Sequence, residues 1–170
     1  MGRSRYLVRF SPDRIALLCE GGGPDPNPTL FALTSGSDPE TSDINLGKSP
    51  HITARALRDP VIYEAVNLHH DLPPSFYEGL HEQWLGALDD LEVRYSLADE
   101  VEDVAARLPR DPRWPEVARR ARREQEAHLR AHGFSNSLSG EALLATFMGR
   151  LVPFYDAAAE HGEAVLFHAD

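Results

Sequence analysis

The chain has 170 residues, 42% of them hydrophobic, which is the length of one domain able to bury a core without disulfide or metal support. Its net charge of −10 argues against nucleic acid or an anionic membrane as a partner, since phosphate contacts need a positive surface. The single cysteine, Cys19, cannot close an internal disulfide, and no stretch approaches the roughly 20 apolar residues of a membrane span, so a cytoplasmic protein is expected.

The opening MGRSRYLVRF holds no apolar run long enough for a signal peptide, and its residues 5–10 alternate as a short strand. Ser11-Pro12-Asp13 reads as a helix start, with a capping hydroxyl, a proline in the first turn and an acid facing the helix dipole. That helix, Pro12–Glu20, stops at Gly21-Gly22-Gly23 and places Cys19 on its inward side. From Gly21 to Pro50 the chain is rich in Gly, Pro, Ser, Asp and Thr. It reads as one long loop, either a binding lid or a variable insertion, interrupted only by Leu30–Leu33 as a short strand or anchor. Residues 52–68 read as short helical turns broken at Asp59-Pro60, with Ile62, Ala65 and Val66 inward. His69-His70-Asp71-Leu72-Pro73-Pro74 then forms a break.

Ser75 and Glu78 have capping-box spacing ahead of Phe76, Leu80, Trp84, Leu88 and Leu91, which predicts one helix over 75–91. A further helix is expected from Ser96 to Leu108, with Val101, Val104 and Ala105 inside. Another runs from Asp111-Pro112 to His132. The last, over 140–160, carries the wide apolar face Leu144, Phe147, Leu151 and Tyr155 and should kink or restart at Pro153. Ala164–His168 closes the chain as a strand. The expected fold is therefore α+β and mainly helical: one domain of four to six helices packed on a small sheet formed by the terminal strands, with Leu30–Leu33 as a possible third strand.

Several groupings could carry chemistry. Glu124, His128 and His132 share one helix face at successive turns, a spacing at which imidazoles can chelate zinc, but the zincin motif is missing and the plainer account is a helix C-terminus favoured by histidine. His69, His70 and Asp71 place imidazoles beside a carboxylate, the pairing of a base with its orienting acid, although sequence neighbours seldom have that geometry. Asp38, Glu40, Asp43 and Asn45 are oxygen donors without the EF-hand spacing, and His81 lacks a second histidine. Arg119, Arg120, Arg122 and Arg123 form the one dense positive patch and could meet an acidic partner, or be a solvated face paired with neighbouring acids. Gly21-Gly22-Gly23 lacks both the preceding strand and the Gly-Lys ending of a phosphate loop.

The two ends of the chain carry a resemblance. Leu151, Phe154-Tyr155, Ala158-Ala159, Gly162 and Ala164-Val165-Leu166, together with Met1-Gly2 and Ser11-Pro12-Asp13-Arg14-Ile15 after a short strand, are similar to the closing and opening segments of the YfbM-like family, small bacterial proteins of unknown function. The residues between Pro50 and Pro74 depart from the family's tryptophan and histidine segment, and Leu33-Thr34-Ser35-Gly36 stands where its Leu-Thr-Gly turn would be. The resemblance implies an α+β fold with both terminal strands in one sheet, and it implies no catalytic residue.

No convergent nucleophile, base and oxyanion donor can be named, so the sequence favours a non-enzymatic binding or regulatory module with no cofactor and an unknown protein or small molecule as partner. Two alternatives are a metal-assisted hydrolase or biosynthetic accessory enzyme built on a histidine site, and an acidic immunity-type protein that neutralises a basic partner.

Overall fold

The computed structural model describes residues 5–21, 23–34, 43–47, 54, 59–85, 92–110, 119–120, 123, 126–127, 130–131 and 140–169. Five strands join into one antiparallel sheet: β1 (Arg5–Phe10), β2 (Asp43–Gly47), β3 (His70–Asp71), β4 (Arg94–Ser96) and β5 (Ala164–Ala169), in the spatial order β2-β1-β5-β4-β3. The terminal strands pair along their length, from Arg5 opposite Ala169 to Phe10 opposite Ala164. Seven α-helices accompany them among the described residues: α1 (Ile15–Glu20), α2 (Asn27–Thr34), α3 (Pro60–Asn67), α4 (Pro74–Tyr77), α5 (Glu82–Leu85), α6 (Ala98–Arg107) and α7 (Gly140–Glu160).

Alternation along the central strands divides the core in two, because successive strand residues face opposite sides of the sheet. Leu7, Val165 and Phe167 pack on one face against Ile62, Ala65 and Val66 of α3, Val101, Val104 and Ala105 of α6, and Leu151, Tyr155 and Ala158 of α7. Phe10, Ala164 and Leu166 pack on the other face against Leu18 of α1, Phe76 of α4, Leu72 and Val93. The sheet is thus covered on both faces, which is why β1 ends in four consecutive buried residues.

Several segments differ from the sequence expectation. The stretch between Gly21 and Pro50 contains α2 and β2. Leu30–Leu33 is helical, with Leu30 against the second core, and the added strand is Asp43–Gly47, whose Ile44 and Leu46 alternate into the first core. The helix expected over 75–91 is two short ones. Pro73 caps α4 and Pro74 fills its first turn, so Ser75 is not the cap. Glu78 leaves the helix in an extended conformation and Gly79 turns at φ +81°, a conformation glycine adopts without a Cβ clash. Cys19 is exposed, and Leu18 takes the inward position beside it. The helix α7 continues through Pro153, which lies on its exposed side where the carbonyl freed by the missing N–H can meet water. Leu151 and Tyr155 are buried as expected, while the side chains of Leu144 and Phe147 lie outside the described residues.

Candidate functional site

The local sequence around α3 sets up a polar corner. Asp59 caps the helix, its Oδ1 accepting from the N–H groups of Val61 (2.9 Å) and Ile62 (3.1 Å), and Pro60 occupies the first turn. With Ile62, Ala65 and Val66 turned to the core, Glu64 is left at the margin. Leu68 ends the helix at φ +55°, a strained value for a branched side chain, and its burial in the first core holds it there. The turn swings the next residues onto the sheet: the His69 N–H donates to the Tyr95 carbonyl (3.3 Å), and β3 pairs His70 with Tyr95 and Asp71 with Arg94.

The helix α6 follows β4 directly and supplies the facing carboxylates. Glu100, in its first turn, accepts from the Leu97 N–H (2.8 Å) through Oε2, while Asp103 and Arg107 pair one turn apart (2.6 Å). The helix starts later than the expected Ser96, which is the last residue of β4, and Leu97 is the cap.

These elements converge on the two histidines. His69 bonds Glu64 Oε1 through Nε2 (2.8 Å) and Ser96 Oγ through Nδ1 (2.7 Å). Since the Glu64 carboxylate accepts, His69 Nε2 carries a hydrogen, and in the neutral ring Nδ1 accepts from the Ser96 hydroxyl. Arg107 donates to the same Glu64 oxygen (2.8 Å). That guanidinium above all, with help from His69, holds the Glu64 carboxyl below its usual range, against the opposing push of burial. His70 bonds both oxygens of Glu100 through Nε2 (2.7 and 2.9 Å) and stacks on the Tyr95 ring, with centroids 5.1 Å apart and planes inclined by 28°. Burial, and then the nearby Cys19 and Glu100, push the Tyr95 phenol up. Ser96 is only 1% exposed, whereas the side chains of His69 and His70 are 24% and 38% exposed.

No protein-family model matches the chain, and neither does any curated protein. Among solved structures, the crystal structure of YfbM from Escherichia coli, a protein of unknown function, matches with a TM-score of 0.60 over 98% of this chain and 99% of that one, at 16% sequence identity. The chain has the YfbM fold. The match spans nearly the whole of both chains and so extends beyond the terminal segments that carry the sequence resemblance.

On this YfbM-like frame the other candidate groups fall apart or lie elsewhere. Asp71 is not the partner of either histidine: it is exposed and 3.8 Å from Arg94, and as the strand neighbour of His70 it faces the other side of the sheet. Glu124, His128, His132 and Arg122 lie outside the described residues, while Arg119, Arg120 and Arg123 are helical and exposed. Asp43 and Asn45 belong to β2, opposite Val8 and Tyr6, and Asp38 and Glu40 lie outside the described residues. His81 is exposed ahead of α5. Among the described residues no three His, Cys, Asp or Glu side chains are placed to hold one metal ion, and no helix is long and apolar enough to cross a membrane. The sequence singles out the two histidines by type but not the residues that the structure brings to them, Glu64, Ser96, Glu100 and Arg107. The one local signal was Glu100, an acid in the first turn of a helix that starts straight from a strand.

Proposed function

We propose that this protein is a non-enzymatic binding module and that the corner formed by α3, β3, β4 and α6 is where it meets its ligand, a small molecule or a group on a partner protein. One observation carries the reading. Ser96, the only hydroxyl bonded to either histidine among the described residues, is buried, so the line Ser96–His69–Glu64 ties β4 to α3 without offering a substrate an accessible nucleophile. The corner is half-exposed and rich in oriented polar groups, as a recognition surface requires. The exposed free thiol of Cys19 fits a reducing compartment, and we place the protein in the cytoplasm.

The test is a paired screen. The purified protein is incubated with activated carboxylic and phosphoric esters, with and without divalent metal ions, and in parallel its melting temperature is followed against a panel of small molecules. The binding reading expects ligand-dependent stabilisation that His70→Ala abolishes. Turnover above background that disappears in His69→Ala or His70→Ala would sink it in favour of an enzyme.

A further inference from the structure

The two adjacent histidines are not equivalent. His69 has both ring nitrogens engaged, one by Glu64 and one by Ser96. His70 has only Nε2 engaged. Its partner Glu100 already accepts from the Leu97 N–H through Oε2, which fixes the carboxylate as an acceptor. The hydrogen between Glu100 and His70 therefore sits on Nε2, and the neutral ring keeps its lone pair on Nδ1. No described residue bonds that Nδ1. The ring cannot swing freely, since it lies stacked on Tyr95, its register partner across β3 and β4. A carboxylate that binds one imidazole nitrogen and leaves the other open is the arrangement that orients a histidine toward an external group.

We infer that His70 Nδ1 is the hydrogen-bond acceptor of the corner and that it takes a neutral or cationic ligand group bearing an O–H or N–H donor, such as a hydroxyl, an amide or an ammonium. The charge around it selects against anions: among the described residues of the corner the carboxylates of Glu64, Asp71, Glu100 and Asp103 outnumber the guanidinium groups of Arg94 and Arg107. His69 holds α3 against β4 behind it as a positioning residue. The inference rests on the corner being a ligand site, but it fails separately, because the tautomer of His70 can be read without any ligand.

Three measurements test it. Long-range nitrogen–proton correlation spectra at neutral pH should show His70 in the Nε2–H form. Glu100→Ala, which removes the acceptor, should give a tautomer mixture. A His70 ring protonated at Nδ1 in the wild type overturns the inference. Diethyl pyrocarbonate, which acylates the unprotonated nitrogen, should modify His70 faster than His69 by about tenfold, the factor that ~1.4 kcal/mol represents. Equal or reversed rates by peptide mass mapping overturn it. Finally, butylammonium should shift the His70 ring resonances and butyrate should not. A shift with butyrate alone, or with neither, overturns the ligand class.

Discussion

Replacing Tyr155 by Phe isolates one bond beneath the histidine corner. The Tyr155 hydroxyl donates to the carbonyl of Ala65 (2.5 Å) in the buried interface between α7 and α3. That carbonyl belongs to the last turn of α3. The N–H that a longer helix would offer it, from His69, goes instead to Tyr95 because Leu68 has turned the chain away. Burial, with Glu64 adding to it, pushes the phenol up, so the hydroxyl stays protonated and donating. Phe keeps the ring and its packing and strands a buried acceptor, at a cost of about 1–3 kcal/mol. For a chain of this length each kcal/mol lowers the melting temperature by roughly 2–4 °C. Urea unfolding of both proteins, with equal slopes, would give the difference directly. The His69 amide resonance should also move, since the same turn places it. A Tyr155→Phe variant within about 0.5 kcal/mol of the parent would refute the claim that this hydroxyl completes α3.

The Glu64 ion pair gives the acid limb its sign. A carboxyl depressed below its ordinary 4.5, as Glu64 is, stabilises the fold above that value and loses the effect as pH falls through the lowered one; Glu64→Gln should therefore flatten the loss of stability measured by urea midpoints as the pH is taken below 4.5. A steeper limb in the variant would contradict this. Gly21 turns at φ +100°, and a Cβ there would lie 2.8 Å from the Ser75 carbonyl oxygen, so Gly21→Ala should cost about 1–3 kcal/mol in the same assay. Gly23, at φ +60° with open space around it, should lose less on the same change, and the reverse ranking would reject the contact between α1 and α4. Cys19 should react with a thiol-specific disulfide reagent in the native protein without denaturant; protection until unfolding would return it to the core.

The legible parts of the sequence were those in which a local rule and burial agree. Tyr6 to Phe10, apart from Arg9, and Ala164 to Phe167 are apolar and β-prone, and the face of α7 through Leu151 and Tyr155 repeats at helical spacing. β2 was hidden because its five residues include two polar ones and lie among turn formers, and its strand identity comes from pairing with β1. The break at Gly79 is masked in the sequence by apolar periodicity on either side of it. The histidine corner was half visible for a different reason. His69 and His70 stand out by type, but Ser96 lies 27 residues from His69, Glu100 lies 30 from His70, and Arg107 lies 43 from Glu64. No local pattern encodes such separations. Asp71 drew attention by adjacency, and adjacency in a strand sends two side chains apart.

The place of β5 bears on how the molecule is made. It follows every other described strand in the chain, yet it lies between β1 and β4. During synthesis at about 5–20 residues per second, β1 waits on the order of ten to thirty seconds for the strand that covers its inner edge. Until then only two separate pairs can exist, β1 with β2 and β3 with β4. The inner edges of both are open hydrogen-bonding templates, and an open edge recruits whatever strand reaches it first. Replacing a residue of β5 should therefore lower the yield of folded protein in the cell by more than its effect on the finished structure explains.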